Sequence, residues 1–427
     1  MCGFVIIFRI GRAHEIFFNV KTVDETMAVI EEQFAPIHEP VRISILEAVG
    51  RILAEDVFSR EQVPPFARST VDGYAVQAKT TYGASESLPA FLDITGNIHM
   101  GKRAELPLVE GQAQYMPTGG MLPEGADSVV MIEHVEEVGD LLNVYRQVAP
   151  GENVIRAGDD VRVGDRVLAR GSRLRPQDVG VLAAIGVTEI AVYPIPIVGI
   201  LSTGDEIVPP DKAELSPGEI RDINSIMIGA RLAQLGAKAV YGGIVRDEYE
   251  ELLTRAKALF EQVDLLLLSG GSSVGTRDFT VQVLEALGEP GVLVHGVATK
   301  PGKPTIIGKS QGKPVVGLPG HPVSALIMFD LLVVSILRRL QGESNEVPDK
   351  RSRARISRNV PSAAGRSDYI RVRLEERGDE LWAVPVFGKS GLVTTMVESD
   401  GIVEIAANKE GVVEGEQVKV MLFGSSY

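Results

Sequence analysis

The chain has 427 residues, 44% hydrophobic and 23% charged, which is the composition of a soluble globular protein too long for one core; two to four domains are expected. A formal net charge of −14 argues against nucleic acid as the main partner, because nothing offsets phosphate repulsion globally. Cys2 is the only cysteine, which excludes an intrachain disulfide, a zinc–thiolate cluster or a cysteine relay, and fits a reducing, cytoplasmic compartment.

Residues 1–19 read as an uncertain N-terminal extension. Their apolar FVIIF run is short and is followed by Arg9, Arg12, His14 and Glu15, so neither a membrane span nor a signal peptide is expected. From Val23 the pattern is regular: Met27, Ile30 and Phe34 predict a helix capped by Thr22 or Asp24. Leu46, Val49 and Leu53 predict a second short helix around Gly50. In VPPFARSTVDGYAV, Pro64 and Pro65 force extended chain, and Asp72-Gly73 is a turn pair that presents Asp72 beside Ser69 and Thr70. Turn chemistry alone accounts for Asp72; a functional carboxylate is the alternative. Residues 89–148 predict short strands joined by Gly/Pro turns, TGGMLPEGAD being the most elaborate. GENVIRAGDDV follows with adjacent Asp159 and Asp160, then a helix from Pro176 to Ile185 ended by Gly186.

Beyond Tyr193 apolar strands alternate with helical runs, the pattern of a parallel sheet covered by helices. Its centre is DLLLLSGGSSVGTRD, residues 264–278: a strand buried on both faces, a glycine-rich turn, then a helix beginning near Phe279. That geometry brings backbone N–H groups and a helix N-terminus to an anion, and Asp278 stands at the mouth as a helix cap or a metal ligand. Ligands of such sheets bind at the carboxyl ends of strands. Those ends carry Asp205, Glu206, Asp247, Asp278, Lys300, Lys303 and the LPGHP turn. Carboxylates so placed suit a hard divalent cation such as Mg²⁺ held partly by substrate oxygens, and the two lysines suit phosphate. Neither GxGxxG nor GxxxxGK[ST] is present, which weakens dinucleotide and P-loop readings. Past Gly342 a polar linker leads to short strands that predict a small β-barrel or sandwich; the basic KRSRARISR within them reads as a solvated strand face in preference to an anion contact.

With these residues in place, the chain resembles the molybdopterin molybdenumtransferase (MoeA) family. The resemblance runs from about Val20 to the C-terminus through PPFARSTVDGYAV, PTGGMLPEGADSVVMIE, GENVIRAGDDV, STGDE, IRDIN, SGGSSVGTRDF, KPGKP and LPGHPVSAL, in that order. It implies a multidomain α/β plus β fold in a homodimer of elongated subunits. The helical/linker part (20–60 and 150–192) is discontinuous around an inserted β-rich part (61–149). A molybdopterin-binding α/β domain (193–341) and a C-terminal β-barrel (342–427) follow. It also implies Mg²⁺-dependent insertion of molybdate, or tungstate, into adenylylated molybdopterin with release of AMP. Asp72, Glu206, Asp247 and Asp278 match the catalytic carboxylates, the last three also as metal ligands. Thr118, Asp160, Thr203, Gly204, Ser269, Gly270, Gly271, Ser272, Lys300, Lys303, Pro319, Gly320, His321 and Ser324 match the substrate-binding motifs. Each site is implied to be shared between subunits, with Asp72 acting in trans. Two positions depart from the pattern: His321 stands where Asn is usual, and Thr276 where an acidic residue is common. The rival readings are a molybdopterin adenylyltransferase, which normally lacks the VDGYA, PTGG and barrel regions, and a non-catalytic scaffold of the same fold.

Overall fold

A computed structural model of the chain describes residues 20–270, 279–344 and 351–423. The N-terminal extension and Gly271, Ser272, Thr276 and Asp278 of the glycine-rich turn lie outside the described residues.

The helix Val23–Gln33 forms where the apolar spacing predicts it, and Thr22 caps it in a reciprocal box: the Glu25 amide donates to Thr22 Oγ1 at 3.2 Å, and the Thr22 amide to Glu25 Oε2 at 2.8 Å. Its Ile30 and the following Phe34 are buried in the core of the α/β sheet, among Val198, Ile228, Leu332 and Leu337. Lys309 donates to the Gln33 carbonyl at 2.6 Å and Arg339 to that of Phe34 at 3.1 Å, so cations satisfy the helix's C-terminal end. The predicted second helix is not a helix. Strand Val41–Ser44 leads into a single 3₁₀ turn, Ile45–Glu47, and Leu53 pairs in extended conformation with Val192. Leu46 and Val49, which mimic helical spacing, are exposed, whereas Ile45, Ala48 and Leu53 are buried.

Strand Val41–Ser44 pairs antiparallel with Glu189–Val192, which joins the two sequence segments flanking the inserted part. Their common core holds Ile45, Leu53, Leu174, Leu182 and Ile190, the last three contributed by residues beyond the insertion. The part between them is β-rich: six strands, including Gly73–Val76, Ala90–Asn97 and Gln112–Met116, form one sheet around Tyr74, Leu92 and Leu142.

The α/β domain has a six-stranded sheet. Lys238–Val245, Ile197–Thr203, Leu265–Ser269 and Lys313–Leu318 are parallel neighbours in that order. The sheet is mixed, which the alternation did not predict. Strand Ile306–Ser310 returns antiparallel to Lys313–Leu318, and Pro290–His295 pairs antiparallel with it at the edge. A short hairpin turn at Gln311 and Gly312 makes this possible where a parallel crossover would need a helix. Leu265 to Ser269 is buried on both faces, and all four leucines sit in the two cores flanking the sheet. The reversal leaves the KPGKP turn, between Pro290–His295 and Ile306–Ser310, at the same end of the sheet as the carboxyl ends of the four parallel strands.

Strands Ser367–Arg377, Glu380–Pro385, Ser352–Ile356, Gln417–Leu422 and Gly401–Ile405 close on themselves, the first pairing with the last, so the C-terminal region is a barrel. Closure removes the free sheet edge. Thr299–Lys300 adds to one barrel strand, pairing in parallel with Ser367–Asp368, and this fastens the KPGKP turn to the barrel.

Candidate active site

The carboxyl ends of neighbouring strands bring the predicted residues together in pairs. Thr203 Oγ1 donates to Asp247 Oδ1 at 2.6 Å, and the Asp247 amide donates to Asp205 Oδ1 at 3.2 Å. Glu206 folds back, its Oε2 lying 3.0 Å from where a Cβ would sit on Gly204. Thus Glu206 and Asp247 stand at adjacent strand ends, with carboxylate oxygens only. Among the described residues no three potential ligands cluster as a metal site; the third predicted carboxylate, Asp278, is outside them.

The next strand end holds Ser269 and Gly270. Gly270 has φ +114°, and a Cβ there would lie 2.1 Å from the Thr203 carbonyl oxygen. Only glycine permits that approach, so the turn begins flush against its neighbour. Across from it the Leu318–Pro319–Gly320 turn leads to the helix Pro322–Met328, which continues through a π turn, Phe329–Val333, into Val334–Leu340. His321 is the N-cap, exposed, and its side chain makes no capping bond. Ser324 is buried in the first helical turn.

Lys300 and Lys303 are exposed on the KPGKP turn. Lys300 Nζ lies 3.8 Å from Asp368 Oδ2, whose other oxygen accepts from Arg366 Nε at 3.0 Å. The lysine end is solvated, so this long pair restrains Lys300 only weakly.

A second cluster lies in the inserted domain. Asp72 is exposed, and its Oδ1 accepts from the Thr118 amide at 2.8 Å, which joins the VDGYA and PTGG motifs. Asp160 is exposed on the loop that pairs with VPP: its amide donates to the Val63 carbonyl at 3.0 Å. Among the described residues no hydrogen bond connects Asp72, Thr118 or Asp160 to the strand ends of the α/β domain.

Two features escaped the sequence reading. The first is a buried polar network: Ser202 donates to Asp222 at 2.7 Å, Asp222 accepts the Ser225 amide at 3.1 Å, and Asn224 donates to Ser269 and to Gly320. IRDIN signalled that something stood there without naming its contacts. The second is Arg371, 7% exposed, which donates to the Gly388 carbonyl at 2.8 Å while its Nε is buried without a partner. Burial lowers its pKa from the usual arginine value. The loop it holds reaches the LPGHP turn, since the Val323 amide donates to the Ser390 carbonyl at 3.2 Å. Alternating burial in SDYIRVRLE could not distinguish it from its exposed neighbour Arg373.

This arrangement defines an α/β domain that offers carboxylates and lysines at one sheet end, in a chain that also carries a β-rich insertion and a barrel. Comparison makes the class specific. Residues 21–186 match the model of the MoeA N-terminal region (domains I and II), 199–339 a probable molybdopterin-binding domain, and 353–423 the MoeA C-terminal region (domain IV). The chain is 34% identical over 406 residues to a molybdopterin molybdenumtransferase of Haemophilus influenzae, covering 94% of this chain and 98% of that one. Two solved MoeA structures from Pyrococcus horikoshii superpose with TM-scores of 0.78 and 0.82. They are 39% and 31% identical, cover 95% of this chain, and are themselves covered over 99% and 100% of their length. The chain belongs to the MoeA family of molybdopterin biosynthesis proteins.

Proposed function

We propose that this protein is a molybdopterin molybdenumtransferase, an enzyme that inserts molybdate into adenylylated molybdopterin, releases AMP, and works in the cytoplasm. The observation that carries the reading is the convergence of Thr203, Glu206, Asp247, Ser269, Gly270, Gly320 and the KPGKP lysines on one end of one sheet. The adenylyltransferase and scaffold readings are less well supported. The family models span the N-terminal region and the barrel, and a pure scaffold has no need of carboxylates at strand ends.

The substrate's pyrophosphate lies in this reading against the Gly320 amide and the Ser269 hydroxyl, fixed before the reaction so that no donor reorganises at the transition state. Lys300 and Lys303 offset its charge. Carboxylate oxygens at adjacent strand ends fit a hard cation, so Glu206 and Asp247, with Asp278 of the glycine-rich turn, would hold Mg²⁺. When bound it supplies a Lewis acid and a template for phosphate oxygens. Asp72, with Thr118 and Asp160, serves the site of the other subunit in a homodimer; in keeping with this, among the described residues they make no hydrogen bond to their own α/β strand ends.

The test is incubation with adenylylated molybdopterin, molybdate and Mg²⁺, with AMP measured by chromatography. AMP release that requires both molybdate and Mg²⁺ is expected. A folded protein that binds the substrate and releases none would leave the scaffold reading.

A further inference from the structure

We propose that Asn224 is a positioning residue that sets the hydrogen-bond polarity of the substrate cradle by acting through Ser269 and Gly320; this rests on the functional reading above. Asn224 opens the helix Asn224–Gln234 and is 7% exposed. Its Nδ2 spends both hydrogens on the cradle, donating to Ser269 Oγ at 2.9 Å and to the Gly320 carbonyl at 2.9 Å. One amide thus ties together two turns that lie 45 and 96 residues away in sequence. Among the described residues its Oδ1 is buried with no partner.

A buried amide with an unfilled acceptor is destabilising, so packing does not account for it; an apolar side chain would fill the space at lower cost. An amide can do one thing that a hydrocarbon cannot, which is to fix where protons point. A serine hydroxyl has one proton and two lone pairs. With the Asn224 N–H on one lone pair, the Ser269 proton must point elsewhere, and among the described residues Ser269 donates to no group. The proton is left for a phosphate oxygen at the strand end, where Gly270 already brings the backbone close. Asn224 is held to this task from below. Asp222 accepts the Ser225 amide, and Arg231 Nε donates to Asp330 Oδ1 at 2.8 Å, tying this helix to the one that starts at the LPGHP turn.

Asn224→Asp keeps the shape and reverses the polarity: its carboxylate takes the Ser269 proton and faces the Gly320 carbonyl. The KM for adenylylated molybdopterin should rise by about tenfold or more, as for loss of a hydrogen bond to a charged group, with kcat changed less. Asn224→Ser, shorter but able to donate once, should fall between Asn224→Asp and wild type. In a Ser269→Ala background, Asn224→Asp should raise KM by less than it does in the wild-type background, because the Ser269 share is already lost and only the Gly320 contact remains to be broken. Hydrogen exchange gives a readout that needs no turnover: amides in 265–270 and 318–324 should exchange faster in Asn224→Ser, and those of the barrel strand 367–377 unchanged. Wild-type KM in Asn224→Asp, independent effects of Asn224→Asp and Ser269→Ala, or unchanged exchange at both turns would overturn the proposal. If wild-type protein releases no AMP, the functional reading fails by itself, and exchange at the two turns still decides whether Asn224 braces them.

Discussion

Gly270→Ala isolates what the glycine-rich turn contributes. Its Cβ would sit 2.1 Å from the Thr203 carbonyl oxygen, about 1.2 Å short of the ~3.3 Å at which carbon and oxygen ordinarily meet. Both atoms belong to backbone at adjoining strand ends, so neither can rotate away; the turn has to shift by about that 1.2 Å. The φ of +114° adds strain of about 1–2 kcal/mol, and overpacking roughly 1–3 kcal/mol more. A displacement near 1 Å in positioned groups is worth about a hundredfold in rate. The control is Gly243→Ala, in the edge strand of the same sheet. It has φ +85° and nothing within 4 Å of the added Cβ, so it carries strain without a clash. Gly270→Ala should lose about a hundredfold of AMP-release activity relative to Gly243→Ala, measured below the unfolding temperature of each. Activities within twofold of each other would show that the close approach has no part in the reaction.

Three further outcomes follow from the same geometry. Asp247→Asn retains an oxygen for the Thr203 hydroxyl, so unfolding should be nearly unchanged while Mg²⁺-dependent turnover falls by about a hundredfold; wild-type turnover would remove Asp247 from the site. The Asp178 carboxyl is held below the usual carboxylate range chiefly by the Arg175 side-chain hydrogen bond. A depressed carboxyl stabilises the fold above its unfolded pKa and loses that contribution as pH falls through the folded one, so denaturant titrations of Asp178→Asn should show a flatter acid limb than wild type; identical limbs would contradict the pairing. Co-refolded Asp72→Asn and Asp247→Asn chains should recover about a quarter of wild-type activity, since random pairing makes half the dimers mixed and one site of each intact. No recovery despite mixed dimers, counted by mass analysis of tagged chains, would place Asp72 in its own subunit's chemistry.

Much of this architecture was legible because it rests on periodicity. The four leucines of 265–268, the helix start at Thr22, one of the two caps the sequence offered, and the helix opened by Pro176 and closed by Gly186 are local signals that appear where the spacing puts them. Local signals also mislead: Leu46 and Val49 have helical spacing but face solvent, because Ile45, Ala48 and Leu53 carry the burial. The strand Ile306–Ser310 was missed, and with it the mixed sheet, because strand direction is set by pairing and not by apolar content. The site follows the same division. Thr203 and Asp247 were singled out by their place at strand ends and Thr118 by the family resemblance, and the structure supplies a hydrogen-bond partner for each. Asn224 and Arg371 were not assigned, since their meaning lies in contacts with Ser269, Gly320 and Gly388 that no short-range pattern encodes.

The central claim is that cleavage of the adenylylated substrate and insertion of the metal oxyanion are one enzymatic event at the α/β strand ends. It is tested most directly by counting both products in one reaction: AMP by chromatography, and molybdenum bound to the pterin by mass spectrometry. The account predicts equal amounts of the two from wild-type protein, neither without molybdate, and both falling together in Asp247→Asn. AMP formed in full without molybdate, or unaccompanied by metal on the pterin, would contradict it.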